Sequence, residues 1–353
     1  MNAAQIRGIS YYLPKKELTN EELVASFSGW TTDKIEQKLG IAVRPIAGPD
    51  ETAADMAYYA GELLLDSGIC RREEIDFVIL CTQSPDYFLP TSACILQKRL
   101  GLSTRCGAFD FNLGCSGYIY GLAICKGLVE SGLAKNVLLL TSETYSKYIN
   151  EQDRSSRPLF GDGATATLIN CAATAKPNEQ ESWIGPFELG TDGNGADMLI
   201  VPAGAHRLPA SPETAIVQPD GHGSYRSKNQ LFMHGSGIFA FIIDIIPPLI
   251  ERYKQYSRDN HFNIDYYIFH QANRYILERL RELCEIEESV YFNDMMARGN
   301  TVSSSIPTAI VDAMQQKKIK PGDNSLLVGF GVGLSWGACL VRFPEHFQAI
   351  IPK

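Results

Sequence analysis

Cys115 stands among small residues in Asn112-Leu113-Gly114-Cys115-Ser116-Gly117-Tyr118, where an extended apolar segment gives way to a helix. Upstream, Gly107 to Phe111 reads as a short buried strand, and downstream Ile119, Leu122, Ala123 and Leu128 recur at helical spacing. A thiol on such a strand-to-helix turn has the placement of a nucleophile, and Gly114 and Gly117 are expected to leave room for a substrate to approach the sulfur. The positive end of a helix dipole there is expected to lower the thiol's pKa and favour the thiolate. Taken alone the residue also has a plainer reading, since free cysteine is among the most often buried residue types.

Two later stretches are polar at positions where a catalyst is useful. His270-Gln271-Ala272-Asn273 follows directly on the apolar run Tyr266–Phe269, so His270 falls at the C-terminal end of a strand, where sites form in open α/β sheets. Gly299-Asn300-Thr301-Val302-Ser303 is a polar loop ahead of a helix that begins near Pro307. Singly, a histidine is more often structural than catalytic, and an asparagine in such a loop is usually a turn residue or a cap.

The elements that must position these groups can be read along the chain. Residues 4–13 form a first strand, and Thr19-Asn20-Glu21-Glu22 has capping-box spacing that opens a helix. Residues 29–47 read as irregular to helical, and 52–67 as a helix with Ala54, Met56, Ala57, Ala60, Leu63 and Leu64 on its apolar side. Ile75–Cys81 and Val137–Thr141 are near-continuous apolar runs, the mark of strands buried on both faces. Residues 91–100 read as helical, and Phe160-Gly161-Asp162-Gly163-Ala164 turns into another strand. Residues 172–230 are rich in Pro, Gly, Asn and Ser and read as a connecting excursion. A second series follows, with helices at 235–256, 273–284 and 304–317 and strands at 266–269, 326–329 and 338–343.

The second series repeats the first. Cys115 through the Gly132 turn to Val137–Leu140 has the order of Ser304 through the Lys320-Pro321-Gly322 turn to Leu326–Gly329, and 52–81 matches 235–269 in the same way. Self-similarity at half the chain length predicts a duplicated α/β unit, with an N-terminal half over 1–171 that carries the cysteine and a C-terminal half over 172–353 that carries His270 and Asn300.

Bulk composition narrows the classes. With 353 residues, 45% hydrophobic and 20% charged, the chain is expected to bury a large core. A net charge of -8 argues against nucleic acid or an anionic membrane as the main partner. Nine scattered cysteines without C-x-x-C spacing signal neither a disulfide framework nor a zinc site and fit a reducing cytoplasm. The N-terminal residues lack a secretory signal, and the most apolar run, 238–250, is too short to span a bilayer. A cytoplasmic protein is expected.

The cysteine elbow, His-Gln-Ala-Asn at 270–273, Gly-Asn-Thr at 299–301, the Phe160-Gly-Asp-Gly-Ala segment and the terminal Gly329-Phe-Gly-Val-Gly-Leu-Ser-Trp-Gly337 occur in an order that resembles the β-ketoacyl-[acyl-carrier-protein] synthase III family of the thiolase superfamily. The resemblance implies a five-layered αβαβα fold of two duplicated halves, a homodimer and a catalytic triad of Cys115, His270 and Asn300. It implies that Cys115 attacks an acyl thioester and that a malonyl- or 3-ketoacyl-thioester on acyl-carrier protein then condenses with the acyl-enzyme. His270 and Asn300 would donate hydrogen bonds to the enolate oxygen. Backbone N–H groups of Cys115 and of the turn Gly331-Val332-Gly333 would bind the acyl carbonyl. No metal or redox cofactor is implied. An alternative on the same fold is plain acyl transfer to a hydroxyl or amine, with His270 as general base.

Several positions depart from the family's usual pattern. The tryptophan that grips coenzyme A is replaced by Lys34, with Trp30 the nearest substitute, and the arginine four residues on is Lys38. Arg154 matches another coenzyme-A-contacting position. Leu89 takes the place of a phenylalanine that crosses the dimer interface to close the partner's acyl pocket, which suggests a primer longer than acetyl. Val332 interrupts three glycines. Ala240 and Tyr275 occupy places where bases usually receive the carrier protein, which leaves Lys38 and Arg274, with Arg281 as a further candidate, for that patch. Together these features point to a specialised relative rather than the general initiator of fatty-acid synthesis.

Overall fold

In the computed structural model, which describes residues 3–172, 182–221 and 223–352, two β-sheets alternate with three layers of helices. The first half runs β1 (Ala3–Tyr12), β2 (Lys16–Thr19), α1 (Asn20–Ser26), α2 (Thr32–Leu39), β3 (Val43–Ile46), α3 (Ala53–Asp66), β4 (Phe77–Cys81), α4 (Ser92–Arg99), β5 (Gly107–Phe111), α5 (Gly117–Glu130), β6 (Asn136–Glu143) and β7 (Gly163–Ala172). The second continues through β8 (Trp183–Thr191), four two-residue strands β9 (Leu199–Ile200), β10 (Gln218–Pro219), β11 (Tyr225–Arg226) and β12 (Phe232–Met233), then α6 (Gly235–Asp259), β13 (Tyr266–Phe269), α7 (Arg274–Leu283), α8 (Ser305–Gln315), β14 (Asn324–Gly331), β15 (Ser335–Arg342) and β16 (Gln348–Ile350).

The first sheet has the order β16-β1-β7-β6-β4-β5 and the second β13-β14-β15-β8. In each sheet the strands that run into the site are parallel: β4 lies between β5 and β6, and β13 lies beside β14. Alternation along a strand sends successive side chains to opposite faces. Val78 and Leu80 of β4 and Leu138 and Leu140 of β6 therefore face α3 and α4 in one core, while Ile79, Val137 and Leu139 face α5 and α8 in another. On β14, Leu327 joins that central core, and Leu326, Val328 and Phe330 face α6 and α7. The order is thus α3/α4, first sheet, α5/α8, second sheet, α6/α7, the expected five layers. The segments that match in sequence occupy matching places, α5 and α8 in the middle and α3 and α6 outside.

Three local readings are corrected. Residues 43–46 are a strand, paired with β2 in a two-stranded ribbon that tolerates Pro45. Arg44 is fully buried, with Nε donating to Pro158 O at 2.7 Å and a terminal nitrogen to Asn20 Oδ1 at 2.5 Å. Within 172–230, β8 is an edge strand of the second sheet, where Gly185 and Pro186 cost little pairing; residues 173–181 and 222 of that stretch lie outside the described residues. Helix α6 runs on to Asp259 through Pro247 and Pro248, held by Ile238, Ile242, Ile246, Leu249, Ile250 and Tyr253 packed at helical spacing. Among the described residues, no helix is long and apolar enough to cross a membrane, and no cluster of three or more His, Cys, Asp or Glu could hold a metal ion.

Candidate active site

Cys115 ends the loop after β5 and precedes Ser116, the residue that opens α5. Its side chain is 4% exposed and belongs to the apolar cluster that includes Tyr145, Leu159, Phe160, Val302 and Phe330. Gly331 backs directly onto it, since a Cβ there would lie 2.7 Å from Cys115 Cβ and 2.8 Å from Sγ. Only a glycine lets β14 run this close to the sulfur. Beyond it, Gly333 has φ of 77°, a left-handed turn that glycine adopts without strain.

The expected lowering of the thiol pKa is overturned. Burial pushes the Cys115 thiol up to about 12, and the nearby Glu143 carboxyl adds to the rise. Hydrogen bonds from the backbone of Val332 and of Cys115 itself act in the opposite direction. Helix-end geometry is a local effect, whereas the loss of solvent around the sulfur comes from tertiary packing, and here the second wins. The glycine reading is corrected too. The space beside Gly114 is filled, because a Cβ there would meet Val332 Cγ1 at 2.5 Å and Gln83 Oε1 at 2.6 Å, and that beside Gly117 is taken by Cys81 Sγ.

His270 lies at the end of β13, 1% exposed, with its backbone N–H donating to Val328 O at 2.7 Å and its ring edge-on to Phe330. Burial lowers its pKa to about 3, so the imidazole is neutral, while a hydrogen bond with the Val302 backbone pulls the other way. Nδ1 lies 2.7 Å from Ser305 Oγ, which also accepts the Gln271 N–H at 3.3 Å. A hydroxyl can donate or accept, so Ser305 serves both imidazole tautomers. With Nδ1–H donating to it, Nε2 is free to take a proton; with Ser305 donating, Nε2–H is a donor.

Asn300 is 4% exposed in the loop before α8. Its Oδ1 accepts the Val302 N–H at 2.9 Å, which directs the amide nitrogen to other acceptors. Val302 therefore touches both partners, His270 through its backbone and Asn300 through its N–H. Phe330-Gly331 does the same for His270 and Cys115. Three buried residues from distant parts of the chain are thus linked through shared neighbours.

Two further polar groups were not anticipated in the sequence. Ser305 is one. The other is Glu143 at the end of β6, whose carboxyl accepts the Gln83 N–H at 3.0 Å and the Ser84 hydroxyl at 3.0 Å. Burial pushes its pKa up to about 8. A carboxyl at the end of an apolar strand run is a signal that a search for polar strand ends would catch.

The donor-side residues fall into two neighbouring groups. Arg154 lies over the Phe27 ring and donates to Ser28 Oγ at 3.1 Å, and Trp30 packs edge-on against the same Phe27. Arg274 opens α7 against Gly40 and Glu36 at the end of α2, the helix that carries Lys38 in its last turn. Leu89 is elsewhere, 84% exposed beside Phe88 at 77% and Tyr87 at 61%, and is no part of this chain's own buried site.

Known proteins share this architecture and sequence. Residues 109–193 match the family described as 3-oxoacyl-[acyl-carrier-protein] synthase III, and residues 260–343 match its C-terminal counterpart. A β-ketoacyl-[acyl-carrier-protein] synthase III of Caldanaerobacter subterraneus is 35% identical over 97% of this chain and 98% of its own. One from Clostridioides difficile is 36% identical over 96% and 98%. Among solved structures, a 3-oxoacyl-(acyl-carrier-protein) synthase III superposes with a TM-score of 0.91 at 46% identity, covering 97% of this chain and 100% of that one. A priming β-ketosynthase of a polyketide pathway gives 0.81 at 27%, covering 97% of each.

Proposed function

This chain belongs to the 3-oxoacyl-[acyl-carrier-protein] synthase III family, and from that premise we propose that Cys115, His270 and Asn300 are its catalytic residues. The enzyme is an acyltransferase that carries out the initiating condensation of fatty-acid or polyketide-type biosynthesis. The observation that supports the residue assignment is the tie through Val302 and Phe330-Gly331, which gathers a buried thiol, a neutral imidazole and an oriented amide.

In the first half-reaction the Cys115 thiol gives its proton to the uncharged imidazole as the sulfur attacks the thioester of the primer. The new S–C bond forms and the carrier thiol leaves, taking that proton. The N–H groups of Cys115 and of the Gly331-Val332-Gly333 turn stabilise the oxygen of the tetrahedral intermediate. In the second half-reaction the malonyl group loses carbon dioxide, and the enolate oxygen accepts hydrogen bonds from His270 and from the Asn300 amide. Its carbon attacks the acyl group on Cys115, the C–S bond breaks, and the released thiolate takes a proton from water to restore the resting thiol. Each step uses groups of this chain and the two thioesters, so the reading calls for neither a metal nor a redox cofactor.

The same reading makes acyl-carrier protein the partner of the Lys38–Arg274 face and places a coenzyme A or carrier phosphopantetheine arm along Arg154 and Trp30. It takes the enzyme as a cytoplasmic homodimer, divided near residue 172 into two halves of common origin. Intact-protein mass spectrometry after mixing with acyl-coenzyme A and acyl-carrier-protein donors of rising chain length tests it. A mass gain lost in Cys115→Ala, followed by product formation and carbon dioxide release with malonyl-carrier protein, is expected. Acyl transfer to an alcohol or amine without carbon dioxide release would favour the non-condensing alternative.

A further inference from the structure

Gln83 lies two residues past the end of β4 and is fixed at four points. Its N–H donates to both oxygens of the buried Glu143 carboxyl at 3.1 and 3.0 Å, and its carbonyl accepts the Tyr148 hydroxyl at 2.9 Å. The side-chain Oε1 accepts the Tyr145 hydroxyl, and Nε2 donates to Asn112 Oδ1 at 2.9 Å. The amide thus lies against Gly114, the residue before the nucleophile, with Oε1 at 2.6 Å from where a Cβ would stand. Tyr145 is 3% exposed, packs in the same cluster as Cys115 and Phe160, and is close enough to the sulfur that negative charge on either would oppose charge on the other.

A primary amide has two lone pairs on oxygen and two hydrogens on nitrogen. The contacts above use one of each, and Gln83 as a whole residue is half-buried. Two anchors hold the amide itself and two hold the main chain beneath it, which opposes its swinging away when an acyl chain arrives. A plain alkyl chain laid over it would strip water from a lone pair and an N–H without replacing their hydrogen bonds, which is unfavourable. A chain with a hydroxyl on its third carbon replaces them. Sites built to hydrogen-bond a substrate hydroxyl discriminate strongly against the analogue that lacks it.

We propose that Gln83, held in place by Glu143, Tyr145, Tyr148 and Asn112, is a specificity residue that favours hydroxyl-bearing acyl primers over plain alkyl primers of equal length. The inference rests on the reading of Cys115 as the acyl-carrying nucleophile. It accords with a chain that departs from the general initiator at its donor-binding residues.

The experiment compares rates of Cys115 acylation, by intact mass, from butyryl- and 3-hydroxybutyryl-coenzyme A and from the same acyl groups on carrier protein. Wild type is expected to take the hydroxylated primer about tenfold faster, the equivalent of one neutral hydrogen bond. Gln83→Leu is expected to erase that ratio, mainly by faster reaction with butyryl. Tyr145→Phe, which removes one hydroxyl and one anchor, is expected to lower it partway. If Gln83→Leu does not fold, as judged by a thermal melt, the Tyr145→Phe ratio decides. A wild-type preference for butyryl, or an unchanged ratio in the folded variant, overturns the proposal while leaving the nucleophile assignment intact. No Cys115 adduct from any donor, acetyl included, overturns the nucleophile assignment and the proposal with it.

Discussion

Phe160 and Asn300 are joined by an isolated parallel β-bridge, in which the Asn300 N–H donates to Leu159 O at 2.9 Å and the Gly161 N–H to Asn300 O at 3.0 Å. The bridge ties the loop before α8 to the segment that enters β7, so Asn300 is held by backbone on one side while its side chain is oriented by Val302. An amide fixed this way is prepared to meet charge that develops during reaction, because it does not have to reorganise.

Asn300→Ala should leave the bridge intact, since the bridge uses only main-chain atoms, and should remove the amide together with the acceptor of the Val302 N–H. Decarboxylation of a malonyl thioester is expected to fall about 100- to 1000-fold, with Cys115 acylation by the primer reduced only a few-fold. Separate assays of carbon dioxide release and of acyl-enzyme mass check this. Equal losses in both would mean that Asn300 acts on the first half-reaction as well, contrary to the role given to it.

The thiol at rest is protonated, and its reactivity should show it. With the pKa of Cys115 at about 12, alkylation by iodoacetamide is expected to rise about tenfold per pH unit from pH 7 to 10 without levelling off. Only the thiolate reacts, and its fraction climbs with pH until the pKa is reached. A plateau near pH 7 would show instead that the helix end and the two backbone donors outweigh burial. His270 stays neutral down to about pH 3, so it contributes no titration across this range.

These cases mark the limit of what was legible in the chain. Strands β5 and β13 fall where the apolar runs put them, and the capping box at Thr19 and Glu22 opens α1, because such signals are local. The family was legible through the order of its motifs along the chain, and the assignment of Cys115, His270 and Asn300 as a triad is the proposal that follows from it. Burial around Cys115 was not, nor were Ser305 and Glu143, since their roles depend on which distant segments pack against them. Strand β3 escaped because its partner β2 lies more than twenty residues away and Arg44 looks like a surface residue.

Glu143 should give stability a pH dependence of definite sign. Its folded pKa is raised from 4.5 to about 8, so between those values the unfolded chain loses the proton while the folded chain keeps it. The group's stabilising contribution is therefore fully present below about pH 4.5 and declines as pH rises toward 8. Glu143→Gln removes the titration. The stability difference between wild type and variant, from urea titrations at pH 5 and pH 8, should shift in the variant's favour at the higher pH. A pH-independent difference would show that Glu143 is ionised throughout and held by the donors from Gln83 and Ser84.

Tyr87, Phe88 and Leu89 are three consecutive large apolar side chains left 61, 77 and 84% exposed, an arrangement a lone soluble chain seldom leaves open. The proposed dimer covers them, with Leu89 entering the partner's acyl pocket. Light scattering at micromolar concentration should then give twice the chain mass, and Phe88→Asp should shift it toward the monomer by placing a charge in a dry interface. Leu89→Phe keeps the interface apolar and adds bulk, so it should leave the mass unchanged and slow acylation by hexanoyl donors more than by acetyl donors. If wild type scatters as a monomer, the arm has another partner and Leu89 loses its place in the pocket. If the dimer persists but Leu89→Phe slows both donors alike, the arm closes the interface without shaping the primer.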